Sequence, residues 1–429
     1  MYAPDIRSAN RDGRTAAARL DEIVGLARAI RLDCRVNRVV PVPSPRPSTL
    51  FGGGKVEELA ADVETHDLEV VVVDHPLTPV QQRNLESALH AKVLDRTGLI
   101  LEIFGARAQT REGRLQVELA HLEYQRSRLV RSWTHLERQR GGTGFLGGPG
   151  ERQIEADRRQ LQTRIDAIRK DLTAVARTRT LHRAGRRKVP YPIVALVGYT
   201  NAGKSTLFNR LTDADVYAED LLFATLDPTM REVALPSGRK IILSDTVGFI
   251  SQLPTTLIAA FRATLEEVLE ADIILHVRDI THEDTDAQRA DVEAVLGELG
   301  IDVAQTSVPI VEVWNKADLL DAALREVHEN TLARRSDPPV LVSAATGEGI
   351  SELRDRVDEV LAREDRSVAV MVAPTHAALT SWIYENGDVT AQDVDEAGNV
   401  ILQARLSPAN EARLVARLEA PSRLLHAAA

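Results

Sequence analysis

The order of apolar and polar positions divides the chain into stretches with different periods. Between 15 and 105 short runs alternate: 17–30 has helical spacing, 36–40 is a strand, 56–63 is helical, 69–74 is a buried strand, 79–90 is helical and 91–94 is a strand. Residues 41–48 form a Pro-rich loop. Strands that alternate with helices imply a parallel sheet. The period then lengthens. Leu115, Leu119, Leu122, Leu129, Trp133 and Leu136 fall on a heptad ladder broken only at Arg126, and Ile154, Leu161, Ile165, Ile168, Leu172 and Val175 make a second ladder. Residues 141–150 between them hold six glycines, so the two helices are expected to form an antiparallel, coiled-coil-like hairpin with a glycine-rich tip that exposes Phe145 and Leu146. Residues 183–188, with Pro190 and Pro192 after them, read as a linker.

Charge changes the picture more than overall composition does. The 429 residues carry a net charge of −10, yet residues 107–188 hold 20 Lys and Arg against 9 Asp and Glu, a local +11 that leaves −21 for the remainder. Eighteen of those 20 are Arg, the side chain suited to bidentate phosphate contact and base stacking. A basic hairpin on an acidic protein turns one surface toward nucleic acid. Arg138, Arg140 and Arg152 ring the tip, and a backbone-rich loop with an apolar finger suits folded RNA, where bases stack and phosphates line the walls. Cys34 is the only cysteine, which leaves no intrachain disulfide and no Cys-based metal site. The first residues lack a basic segment followed by an apolar one, and apolar runs such as 70–73 are far too short to span a bilayer, so a cytoplasmic protein is expected.

The chemistry concentrates after the linker. Gly198, Tyr199, Thr200, Asn201, Ala202, Gly203, Lys204, Ser205 and Thr206 spell G-x-x-x-x-G-K-[ST] plus one residue, between an apolar strand at 193–197 and an amphipathic run at 206–211. Glycines let backbone N–H groups crowd around phosphate oxygens, the new helix points its positive end at them, Lys204 neutralises β/γ charge and the Ser205 hydroxyl ligates Mg²⁺. Phe223, Ala224, Thr225, Leu226 and Asp227 lie in a long loop before a hairpin at 231–243; Thr225 is the expected Mg²⁺ and γ-phosphate contact, with Thr229 as its rival. Asp245, Thr246, Val247 and Gly248 form D-x-x-G at a strand end, with Asp245 serving the Mg²⁺ shell and the Gly248 N–H the γ-phosphate. Asn315, Lys316, Ala317 and Asp318 form N-K-x-D; a carboxylate at Asp318 accepts from both guanine N–H groups, which selects GTP over ATP. Ser343, Ala344 and Ala345 offer backbone to the guanine O6. Five motifs in this order are highly specific. Gly52, Gly53, Gly54 and Lys55 also precede a helix, but without a following Ser or Thr they read as a weak anion site or a tight turn.

The motifs predict an α/β protein with an N-terminal α/β domain (1–108), a basic helical hairpin (109–188), a P-loop GTPase domain (189–365) and a small C-terminal α/β domain (366–429). In the last of these, 367–372 and then 375–384 lead through two strands and a final helix. The motif residues, together with the glycine-tipped hairpin ahead of them, resemble the HflX family of bacterial ribosome-associated GTPases over essentially the whole chain. The resemblance implies binding to the large ribosomal subunit and its rRNA, entry of the tip into the peptidyl-transferase region and GTP-dependent splitting of stalled ribosomes. The residues themselves point to GTP/GDP and Mg²⁺ as ligands, and a monomer with no DNA partner is expected. ATP binding by the N-terminal domain is described for the family, and residues 52–55 are the one candidate here. Two other classes compete: an rRNA-maturation or RNA-modification GTPase, and a nucleotide-gated RNA-binding module with little turnover.

One position departs from the common GTPase pattern. Where many GTPases place a Gln after D-x-x-G to orient the attacking water, this chain has Phe249. A catalytic group supplied from elsewhere would close the gap. Asn201 stands where K⁺-dependent GTPases of this broad class carry a cation-ligating Asn; a K⁺ beside the β/γ-phosphates and a loop-bracing hydrogen bond are its two readings.

Overall fold

The computed structural model describes residues 1–6, 14–139, 149–186, 191–212, 223, 229–251, 265, 267–301, 308–363, 365–418 and 420–427, with side chains excepted over 130–139, 149–154, 176, 178–186, 408–409 and 426–427. The N-terminal part alternates β1 (Tyr2–Asp5), α1 (Ala16–Ala29), β2 (Arg38–Pro41), α2 (Gly53–His66), β3 (Val70–Val73), α3 (Pro79–Leu89), β4 (Lys92–Asp95) and α4 (Arg96–Arg107). Its four strands are parallel in the order β2-β1-β3-β4. Side-chain caps set the helix starts: Thr78 and Gln81 close a capping box around Pro79, and Asp95 accepts from the Gly98 N–H at 2.8 Å to open α4. Two elements escaped the sequence reading, the central strand β1 and the apolar helix α4.

The basic segment forms α5 (Arg111–Gln139) and α6 (Pro149–Arg186), which pack on each other. Ile165 and Ile168 of the second ladder are buried and Leu161, Leu172 and Val175 half-buried, while Leu115, Leu119, Leu122 and Leu129 of the first are half-buried opposite them. Arg126, the break in the ladder, donates across the seam to Gln162 at 2.7 Å, and Arg164 and Arg169 pair with Glu118 and Glu123. Helix α5 also has a second buried stripe, Gly113, Gln116, Val117 and Ala120, which seats it on the N-terminal domain. Several arginines read as phosphate contacts therefore hold the hairpin together, and Arg158, Arg159, Lys170 and Arg177 remain exposed. Helix α6 continues to Arg186, so the expected linker begins later than 183. The tip residues Phe145, Leu146 and Arg140, and the side chains of Arg138 and Arg152, lie outside what is described.

A six-stranded sheet follows in the order β10-β9-β8-β5-β7-β6. It contains β5 (Ile193–Gly198), β6 (Thr229–Ala234), β7 (Lys240–Asp245), β8 (Ile273–Asp279), β9 (Ile310–Asn315) and β10 (Val340–Leu341). All pairs are parallel except the β6–β7 hairpin. Helices α7 (Lys204–Thr212), α8 (Thr285–Glu298), α9 (Ala322–Leu332) and α10 (Ile350–Ala362) belong to this part. The chain ends in an antiparallel sheet ordered β12-β13-β11-β14, from β11 (Arg366–Val372), β12 (Asp388–Val394), β13 (Val400–Leu406) and β14 (Arg423–Ala427), with α11 (Ala377–Asn386) and α12 (Pro408–Arg417). That is two strands and one helix more than the sequence reading gave. No described helix is long and apolar enough to cross a membrane.

Candidate nucleotide site

The loops that follow β5, β7, β9 and β10 converge at the carboxyl edge of the central sheet, where open α/β sheets place their ligands. The glycine-rich loop leaves β5 at Gly198, where any Cβ would lie 2.2 Å from the Val277 carbonyl oxygen. Asn201 takes a left-handed φ of 61°, its side chain is exposed, and α7 opens at Lys204. At Gly203, φ is +90° and a Cβ would sit 2.2 Å from Nδ2 of Asn315.

That close approach makes Asn315 a joint between three motifs. Its Nδ2 donates to the Ala202 carbonyl at 2.8 Å, and its Oδ1 accepts from the Ala344 N–H at 3.0 Å. Asp318 accepts from the Ser343 hydroxyl at 2.5 Å, and Ser343 accepts from the Thr346 N–H at 3.1 Å. Ala317 N donates to the Val342 carbonyl, Lys316 pairs with Asp279 at 2.7 Å, and Arg210 of α7 donates to the carbonyls of Ala344 and Ala345. The base-side loops are thus braced against one another.

At the phosphate end, Lys204 is buried and its Nζ donates to the Gly198 and Tyr199 carbonyls at 3.1 and 2.8 Å. Burial pushes its pKa down to about 8, against the attraction of Asp245. The Ser205 hydroxyl donates to Asp245 at 2.8 Å, and Thr246 donates to the Leu196 carbonyl at 2.6 Å. Among the described residues no three His, Cys, Asp or Glu gather into a metal cluster. The Ser205 and Asp245 oxygens suit a hard divalent cation that draws the rest of its shell from phosphate and water. Gly248 lies against Thr200 and Lys204. Phe249 is fully buried, and its backbone bridges the P-loop: its N–H donates to Gly198 O at 3.1 Å and its carbonyl accepts from Thr200 N at 2.7 Å.

Of the first switch, Ala224, Thr225, Leu226 and Asp227 lie outside the described residues. Thr229, the rival to Thr225, is in β6 opposite Asp245. Phe223 is buried at φ 56° and packs edge-to-face on Phe104 of α4, ring centroids 4.8 Å apart. Residues 52–55 sit apart from this site: Gly52 and Gly53 open α2, and the Lys55 ammonium is held by Glu58 at 2.7 Å.

Several residues at the site come from the N-terminal domain and were not legible as functional. The Tyr199 hydroxyl donates to Glu22 and accepts from Arg14 at 3.1 Å and from the Ser251 N–H at 2.8 Å. Arg96 is buried between Glu22 and Asp74 and donates to the Ser251 hydroxyl and carbonyl at 2.8 and 3.2 Å. Burial opposes ionisation of Glu22, yet Arg96, Tyr199 and Arg14 hold its carboxyl below the ordinary range. The one local sign of this cluster is an Arg heading a helix whose next turn is the apolar run Leu99, Ile100 and Leu101, since a buried Arg demands partners.

Residues 17–105 match the family described as GTP-binding GTPase N-terminal, 107–186 the GTP-binding GTPase Middle Region, 193–316 the 50S ribosome-binding GTPase and 330–423 the HflX C-terminal domain. The chain is 52% identical over 391 residues to the GTPase HflX of Magnetococcus marinus, covering 89% of each, and 45% identical over 366 residues to that of Escherichia coli, covering 85% of this chain and 84% of the relative. A solved structure of a GTP-binding protein from Sulfolobus solfataricus in complex with GDP is 23% identical, with a TM-score of 0.43 over 84% of this chain and 97% of that one. Four of the five ordered motifs meet at one pocket among the described residues, and the similarity to these relatives over most of the chain places the protein in the HflX family of GTPases.

Proposed function

We propose that this GTPase docks its basic hairpin on the rRNA of the large ribosomal subunit and uses GTP binding and hydrolysis to split or rescue stalled ribosomes. The observation that carries the reading is the hairpin itself: two long helices, zipped by an apolar seam and cross-helix ion pairs, flank a segment that the sequence makes rich in Gly and Arg. The match of 193–316 to a 50S ribosome-binding GTPase family supports the choice of partner.

In the pocket, Asp318 and the backbone at Ala344 and Ala345 take the guanine, Lys204 and the P-loop N–H groups take the phosphates, and the Gly248 N–H meets the γ-phosphate. Ser205 and Thr225 would hold Mg²⁺, with Asp245 beside them, and the ion when bound neutralises charge developing between the β- and γ-phosphates. Lys204, which bonds loop carbonyls here, has donors to hand over to phosphate. Phe249 is packed in the core and orients no water, so in-line attack on the γ-phosphate is slow until a further group enters. Asn201, at the pocket mouth, is the candidate ligand for a K⁺ that would fill that role.

The test is turnover and subunit separation on sucrose gradients, with and without large subunits. Wild type should hydrolyse GTP faster with large subunits and split 70S particles. Deletion of residues 141–150 should leave GTP binding intact and abolish splitting; charge reversal at Arg138, Arg140 and Arg152 should weaken binding and flatten its salt dependence. A tip deletion that splits ribosomes as well as wild type reduces the tip to a linker.

A further inference from the structure

Helix α4 touches both nucleotide-sensing segments at once. Arg96 at its head grips Ser251, three residues past Gly248, through two hydrogen bonds. Phe104, a little over two turns later on the same helix, packs against Phe223 at the start of the first switch. Leu99, Ile100, Ile103 and Phe104 share one continuous core with Val247, Phe249 and Ile250 on the nucleotide side and with Val117 and Ala120 of α5 on the hairpin side.

The residue before Arg96 faces the hairpin. Asp95 caps α4 and accepts from the Tyr124 hydroxyl at 2.6 Å and from Arg128, both on α5, and from the Leu77 N–H at 3.2 Å. Adjacent residues therefore hold different bodies: Asp95 holds the hairpin base, and Arg96 holds the segment after D-x-x-G. Both are buried, and a buried polar network that loses one partner leaves others unsatisfied, so it moves as a unit or breaks.

We propose that the Asp95–Arg96 step at the head of α4 is a positioning device that couples the seating of the hairpin to the geometry of both switch segments. Arg96, Tyr124 and Ser251 are positioning residues; none contacts the reacting atoms. Linkage makes the coupling reciprocal: if GTP and GDP favour different seatings of the hairpin, whatever engages the hairpin shifts the preference for GTP over GDP by the same factor.

A double-mutant cycle in the full chain tests this without any ribosome, and so separately from the proposed partner. Ser251→Ala removes one hydroxyl bonded to Arg96 and Glu22, and Tyr124→Phe removes one hydroxyl bonded to Asp95. Affinities for fluorescent GDP and for a non-hydrolysable GTP analogue are measured for wild type, both singles and the double. Each single should change the ratio of the two affinities about three- to tenfold, the span of a typical net hydrogen-bond contribution. The double should match the stronger single, because both cut one chain. A ratio that stays within twofold of wild type in either single, or singles that multiply in the double, overturns the proposal. Should Ser251→Ala fail to fold, amide exchange in Tyr124→Phe decides: faster exchange at Phe249 and Ser251 supports the coupling, and unchanged exchange refutes it.

Discussion

Asn315 offers the sharpest test of how the pocket is held. Its amide serves two buried backbone groups on different loops, the Ala202 carbonyl and the Ala344 N–H, and it is itself 2% exposed. Asn315→Ala orphans both. Each buried group left without its partner costs about 1–3 kcal/mol, so the variant should lose roughly 2–6 kcal/mol, divided between the stability of the nucleotide domain and its affinity for ligand. For a domain of this size the melting temperature should fall by about 5–10 °C. The loops joined at Asn315 carry the base and the phosphates common to both nucleotides, so GDP and GTP should weaken by a shared factor of about ten or more. Asn315→Asp keeps the acceptor for Ala344 but sets a carboxylate against the Ala202 carbonyl, and should be no better than Ala. Calorimetric melting and titration with both nucleotides provide the assay. A loss confined to GTP, or GDP affinity within twofold of wild type with an unmoved melting temperature, would show that Asn315 is not the joint described.

Three further outcomes are expected. Asp318→Asn should exchange preference for GTP over XTP, while Lys204→Ala should weaken both nucleotides without changing base choice; competition binding in which Asp318→Asn keeps its wild-type preference refutes the guanine assignment. His276 is buried beside Arg278 and Arg289, and burial first of all lowers its pKa from 6.5 to about 4. The unfolded chain thus binds a proton that the folded one refuses, so stability is full above about pH 6.5 and declines as pH falls toward 4, by about 2 kcal/mol at pH 5; urea unfolding of His276→Asn should show a flatter pH dependence, and an identical slope would exclude His276 as the cause. Turnover at matched ionic strength should be higher in K⁺ than in Na⁺, and Asn201→Ala should erase the difference; equal wild-type rates would leave Asn201 a structural residue.

By itself the sequence determined the parts whose requirements are local. Gly203, Lys204 and Ser205 announce a phosphate loop because a single strand–loop–helix supplies every donor, and Asn315 to Asp318 announce a guanine site because one strand end presents it. The second heptad ladder was readable because Leu161, Ile165, Ile168, Leu172 and Val175 lie on one helix face that meets one partner. Helix α5 was only half legible, since Val117 and Ala120 belong to a second face whose partner is far away in sequence. Strand β1, four residues long and containing Pro4, has too little pattern to be seen, yet it lies at the middle of its sheet. Tertiary structure alone decided that Phe249 is fastened to the P-loop, that Asn315 joins three loops, and that Arg96 grips Ser251 from 155 residues away. Contacts of that kind depend on the path of the whole chain, because a buried charge or amide finds its partner through the packing of separate elements rather than through the spacing of its neighbours.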